Sequence, residues 1–241
     1  MNRTVLKWIA CLTMLIDHAG LILFPQVQWM KWIGRLSFPL FAFFIAQGCR
    51  YTSNKLRYFL RVFLLGVFCQ TVFTLSQLPS GRIYSFYFNT LFTFSLSILL
   101  CFLFLAHEKA AESGDSRKAT LLAFLLIVAV LAVSALIPFM KHLDRTTAYQ
   151  VYLDYGLPGV LLPLAAVAFR DRQKQFLGFS IGILIFCFVC KDRVPYVWWA
   201  LADIPLIALY NGQKGRSAFR YGFYLFYPLH LGILYLIGAI F

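Results

Sequence analysis

Two histidines lie where an apolar chain rarely carries them. His18 falls in Met14-Leu15-Ile16-Asp17-His18-Ala19-Gly20 and His230 in Tyr224-Leu225-Phe226-Tyr227-Pro228-Leu229-His230, both within long hydrophobic runs. An ionisable group at membrane depth is costly, which makes each a functional candidate. An imidazole in that setting serves proton transfer or metal ligation. No His, Asp or Glu lies three or four residues from His18, so its spacing offers no metal site. The competing reading is a structural histidine hydrogen-bonded to a neighbouring helix. Lys7 precedes His18 by eleven residues, so on a helix both project from one stripe, about 16 Å apart along the axis. Asp17 points about 100° away from His18 and is not assumed to be its partner. Pro228 bends the last helix just before His230.

Further polar residues interrupt apolar segments. Arg35 stands in Ile33-Gly34-Arg35-Leu36-Ser37, Asp154 and Tyr155 in Leu153-Asp154-Tyr155-Gly156, and Asp203 follows Trp198-Trp199-Ala200-Leu201-Ala202. Asp17, His18, Arg35 and Asp154 all fall in the outer half of the expected topology. That placement gives either a polar cavity or a structural pair between Arg35 and Asp154. His107 and His142 sit in loops and read as solvated surface. All six cysteines lie in or at the ends of apolar spans. Cys187 and Cys190 form a CxxC without a second pair, so they read as small buried apolar residues rather than zinc ligands.

The elements that must position these groups are membrane-spanning helices. Hydrophobic residues make up 61% of the 241 positions and charged residues 13%, where soluble domains carry about 25% charged. That is too little charge to cover a soluble core. In lipid only helices or closed barrels satisfy the backbone, and the unbroken apolar runs exclude a barrel's short alternating segments. An all-α polytopic bundle of about nine spans is expected, with eight to ten compatible, in a single domain over 1–241 with no sizeable soluble part. The spans run Leu6–Phe24, Lys31–Cys49, Leu56–Leu75, Tyr87–Ala106, Ala119–Met140, Leu153–Phe169, Phe176–Cys190, Tyr196–Tyr210 and Tyr221–Phe241. The seventh and eighth are short. Arg3 and Lys7 before an apolar stretch mimic a signal peptide, but no small-residue cleavage site follows, and the segment reads as the retained first helix.

Loop charge sets the orientation. The N-terminal tail and even-numbered loops hold 15 of the 22 Lys and Arg, among them Arg50, Lys55, Arg57, Arg61, Arg170, Arg172, Lys174, Lys214, Arg216 and Arg220. The N-terminus is therefore expected in the cytoplasm and the C-terminus outside. The net charge of +13 then faces anionic lipid rather than nucleic acid.

These residues carry a family resemblance. Leu6-Lys7 with Met14-Leu15-Ile16-Asp17-His18-Ala19-Gly20, then Ile33-Gly34-Arg35-Leu36-Ser37-Phe38-Pro39-Leu40, resembles the TraX family of membrane acetyltransferases. Arg50-Tyr51-Thr52, Asn89 with Phe92-Thr93, Asp154-Tyr155-Gly156-Leu157-Pro158-Gly159 and the closing segment through His230 continue the match nearly end to end. Lys7 and His18 are also similar to the basic-residue, ten-residue gap, histidine pattern of the acyltransferase-three membrane proteins.

The resemblance implies transfer of an acetyl group from cytoplasmic acetyl-CoA, without metal, to an envelope or surface acceptor, in a bacterial inner membrane. That acceptor is a pilin N-terminus, a glycan, or a lipid amine or hydroxyl. On this reading His18 is the base or nucleophile, His230 a second acid/base, and Asp17 and Arg35 complete the catalytic group. Lys7, Arg57 and Arg61 hold the phosphates of coenzyme A, and Asp154, Tyr155 and Asn89 bind the acceptor. The rival readings are a small-molecule transporter and a non-catalytic membrane assembly factor.

Overall fold

The computed structural model describes residues 1–77, 85–146, 150–213 and 222–240. Lys214, Arg216, Arg220, Tyr221 and Phe241 fall outside those residues. The elements are α1 (Arg3–Ile22), α2 (Gln28–Gly34), α3 (Ser37–Tyr51), α4 (Lys55–Gln77), β1 (Ser85–Phe88), α5 (Thr90–Glu112), α6 (Ser116–Thr146), β2 (Gln150–Leu153), α7 (Gly156–Val167), α8 (Arg172–Cys190), a 3₁₀ helix (Val197–Ala202), α9 (Asp203–Ala208) and α10 (Gly222–Ile240). The fold is all-α apart from two four-residue strands.

The apolar runs become helices because only an internally bonded backbone is tolerated in hydrocarbon. Helix α1, the α2–α3 pair, α4, α5, α6 and α8 are each long and apolar enough to cross a membrane. Three further apolar helical segments are shorter: α7, the 3₁₀–α9 segment and α10. The expected segments are present, but the short ones differ from expectation. The seventh is the full-length α8 of 19 residues. The sixth shrinks instead to the 12 residues of α7: Leu153 closes β2, which pairs in parallel with β1, Ser85 opposite Gln150 and Phe88 opposite Leu153, and the left-handed turn at Tyr155 and Gly156 delays the helix start. At 1.5 Å per residue α7 is about 18 Å long, short of a hydrocarbon core of about 30 Å.

The chain packs as two compact units, residues 1–44 with 179–241, and residues 45–178. In the first, α1 packs on α2 and α10, over a core that includes Leu6, Leu40, Phe179, Ile183, Phe186 and Val197. In the second, α5 packs on α4, α6 and α7, with Leu100, Val133 and Val160 at the centre of one apolar cluster. Leu121, Phe124, Ile127 and Leu131 of α6 are exposed, a surface suited to lipid.

Within each unit the connections are tied to one another. In the first, the N-terminal backbone hydrogen-bonds the segment after α9 (Arg3 N to Gln213 O, Asn211 N to Met1 O). There too Trp32 of α2 stacks on Trp199 of the 3₁₀ helix and meets Tyr196 just before it. In the second, Glu108 binds both Arg50 and Arg170, joining the second, fourth and sixth connections. The β1–β2 pair joins the third to the fifth.

Candidate functional site

Helix α1 starts where Asn2 accepts a hydrogen bond from Val5 N, and its inner stripe of Leu6, Ala10, Cys11 and Met14 is buried. One turn beyond Met14 that stripe carries His18 against α10. Its Nδ1 lies 2.8 Å from Nε2 of His230. His230 Nδ1 in turn lies 2.8 Å from the Phe226 carbonyl oxygen, four residues back on the same helix. The Phe226 ring stacks on His230 at 5.0 Å, and Tyr227 packs edge-on against both histidines.

This geometry assigns the protons when both rings are neutral. A carbonyl only accepts, so Nδ1 of His230 must carry the hydrogen and Nε2 the lone pair. Nε2 of His230 then accepts from Nδ1–H of His18, which leaves the lone pair of His18 on its own Nε2. Holding one ring nitrogen in a hydrogen bond to choose the state of the other is how proteins orient working histidines.

The next residue is held differently. Asp17 Oδ1 accepts from Arg35 Nη2 at 2.9 Å, with both side chains below one-fifth exposure. Arg35 Nε donates to the Lys31 carbonyl at 3.2 Å, which fixes the guanidinium from a second side, and the Arg35 charge acts on His18. Close approach of α1 and α2 makes the pair possible. A Cβ at Gly34 would overlap the Asp17 side chain at both Oδ1 and Cβ, so only glycine leaves the slot open. His18, His230, Asp17 and Arg35 thus assemble in one unit.

Asn89, Asp154 and Tyr155 come together in the other. Asn89 caps α5, its Oδ1 accepting from Leu91 N, while its Nδ2 donates to Gly66 O at 3.0 Å and Gln70 Oε1 at 3.2 Å. The neighbouring Thr90 hydroxyl donates to the Asp154 carboxylate. Thr93 donates to the Asp154 carbonyl at 2.6 Å, and Asp154 N donates to Phe88 O at 3.0 Å. Ser97 extends the seam to Val160 O at 2.8 Å. Tyr155 caps α7 with φ 56°, followed by Gly156 at φ 54°, so the turn runs through the left-handed region at two successive residues.

Of the residues expected to hold donor phosphates, Lys7 lies in the first unit with its ammonium 5.7 Å from the Phe44 ring centroid. Arg57 and Arg61 lie on α4 in the second. Arg57 is exposed and Arg61 half-buried. Cys187 donates to Val197 O at 3.3 Å, and all six cysteines are buried and outside any disulfide. No cluster of metal-ligating groups occurs among the described residues.

Three contributors were not singled out from the sequence: the Phe226 carbonyl, Gly34 and Thr90. A backbone carbonyl has no sequence signal. Thr90 had one in its position beside Asn89 at a helix start. Asp203 was noted only as out of place. It is fully buried, and among the described residues neither carboxylate oxygen has a hydrogen-bond partner.

The family model described as TraX protein matches residues 2–238. This chain belongs to the TraX family. Over 240 residues it is 26% identical to the probable fimbrial assembly protein FimC, serogroup H1, of Dichelobacter nodosus, covering 95% of this chain and 92% of that protein. A 98-residue stretch is 31% identical to an uncharacterized protein of Rickettsia prowazekii (strain Madrid E), 38% of this chain and 39% of that one. No solved structure matches the chain. With its apolar helices, this TraX-family chain is an integral membrane protein.

Proposed function

We propose that the protein is an integral-membrane acyltransferase that moves an acetyl group from acetyl-CoA to an amine or hydroxyl of the cell envelope. The observation that supports this reading is the hydrogen-bonded chain from His18 through His230 to the Phe226 carbonyl. It leaves a basic nitrogen on His18 with a second imidazole behind it to share the charge.

The reaction balances without a further reagent. The acceptor X–H attacks the thioester carbonyl while Nε2 of His18 takes its proton. The tetrahedral intermediate collapses with cleavage of the C–S bond, and the same proton passes to the departing sulfur, leaving acetyl-X and the free thiol of coenzyme A. Once His18 is protonated, its Nδ1–H donates to His230, which donates to the Phe226 carbonyl, so the positive charge is hydrogen-bonded along its length. Arg35, oriented by Asp17 and the Lys31 carbonyl, stabilises the developing oxyanion. Lys7 serves the donor's phosphates as a cation on the same stripe as His18. The excess of Lys and Arg in the N-terminal tail and even-numbered loops supports a cytoplasmic N-terminus in a bacterial inner membrane, on the side where acetyl-CoA is available.

The test is release of coenzyme A thiol from acetyl-CoA by the purified protein, with and without a crude envelope extract. Extract-stimulated release in the wild type that disappears in His18→Ala is the expected result. Wild-type turnover in His18→Ala would falsify the proposal. A second reading, a non-catalytic assembly factor, draws on the name of the Dichelobacter relative. It predicts that His18→Ala still supports surface-fibre assembly and that no thiol is released by any variant.

A further inference from the structure

Independently of catalysis, the second unit carries a groove of about 430 Å³ between α5 and α6, lined among others by Leu96, Leu99, Leu103, Phe102, Ala129 and Val133. An apolar cavity of about 150 Å³ already accommodates a benzene ring, so this one has room for a substantial length of hydrocarbon. Close packing disfavours leaving it empty, because atoms lining a void lose their dispersion partners.

Its place in the unit points to the occupant. Leu96 and Leu103 lie seven residues apart, about 10 Å along α5, and the apolar run of that helix ends one turn later, at Ala106. An acyl chain reaching from the headgroups to the midplane crosses about 15 Å, so a tail whose headgroup sits at the Phe102 end runs down this groove. The α5–α6 turn beyond it is balanced in charge, with Lys109, Arg117 and Lys118 beside Glu108, Glu112 and Asp115, so the cation at the groove comes from another helix. Lys55, at the start of α4, places its ammonium 5.4 Å from the centroid of Phe102, the ring that also lines the groove. A cation on a groove-lining ring matches a phosphate joined to a hydrocarbon tail.

We propose that the α5–α6 groove binds one acyl chain of an anionic phospholipid whose headgroup is held by Lys55. The site would hold that lipid in preference to the surrounding bilayer.

The experiment uses the full chain in detergent, delipidated and then supplied with phosphatidylglycerol or phosphatidylcholine of identical tails. Thermal midpoints and native mass spectra are recorded for wild type, Ala129→Phe and Lys55→Gln. A ligand that binds only the folded state raises its stability. The wild type should retain one phosphatidylglycerol and gain a larger rise in midpoint from it than from phosphatidylcholine. Ala129→Phe, which fills the groove, should lose the retained lipid. Lys55→Gln, at a helix start, should fold normally and lose the preference between headgroups. Equal shifts from both lipids in the wild type would overturn the proposal. So would retention of the lipid by Ala129→Phe, a headgroup preference that survives Lys55→Gln, or a concentration-dependent dimer that Ala129→Phe abolishes, which would assign the groove to a second copy of the chain. If Ala129→Phe does not fold, the wild-type and Lys55→Gln comparison decides alone.

Discussion

The seam around Asp154 and the histidine chain end in opposite ways. Around Asp154 the groups satisfy one another: Thr90 and Thr93 reach the residue from α5, its own N–H reaches β1, and Asn89 bridges to α4. The histidine chain instead finishes in a lone pair on His18, and in the same unit both oxygens of Asp203 lack partners among the described residues. Satisfied networks fix a unique fold, whereas a group left open at membrane depth has to be repaid by function or by local stability elsewhere. Under the proposed function the histidine chain performs chemistry, and mutation decides whether the seam serves structure or acceptor binding.

The sharpest way to break that comparison is to remove the open end. His18→Ala should lower turnover by about 10²–10⁴-fold, the usual worth of acid–base assistance, while the thermal midpoint of the purified protein stays at its wild-type value. A large loss of midpoint instead would make His18 part of the scaffold. Next in size is the ion pair beside it. Asp17→Ala strands the Arg35 guanidinium, a change that costs about 3–5 kcal/mol for a buried pair and less here, because both partners retain some exposure. Denaturant or thermal unfolding should show that loss together with reduced turnover. Gly34→Ala should reproduce both effects by steric means, since its new Cβ occupies the place of the Asp17 carboxylate.

In the seam, Thr90→Val should cost about 1–3 kcal/mol by leaving a carboxylate oxygen short of a donor. Turnover per folded molecule should remain near wild type. A selective rise in KM for the acceptor, with stability intact, would assign Asp154 to acceptor binding. Arg57→Ala and Arg61→Ala test the donor side in the same way, with the KM for acetyl-CoA as the readout. The smallest effect is expected at Asp203. Asp203→Asn breaks no hydrogen bond, so unfolding should shift by less than about 1 kcal/mol. A strong loss of activity there, with stability unchanged, would extend the chemistry beyond the histidine pair.

Much of this was legible before any coordinates. Scarce charge and long apolar runs specify helices in lipid, because no other open backbone survives there. Burial cost alone singled out His18, His230, Asp17 and Arg35. Helical periodicity also kept Asp17 from being paired with His18, since neighbours on a helix diverge by about 100°, and Asp17 binds Arg35 instead. The sixth span was misread because hydropathy does not reveal that Leu153 ends a strand paired with β1 and that a left-handed turn precedes α7; the seventh was cut short because α8 opens in the polar Arg172-Gln173-Lys174-Gln175. A strand pair is settled by its partner across the fold rather than by its own composition.

The sequence by itself determined which groups are too polar for their surroundings and the kind of element that carries each. Tertiary structure alone decided that His18 and His230, 212 residues apart, touch, and that a backbone carbonyl sets their tautomers. It also decided that Gly34 makes room for Asp17. The physical reason is that helical periodicity fixes the direction of a side chain about its own axis, whereas the helix it faces is chosen by packing among all of them.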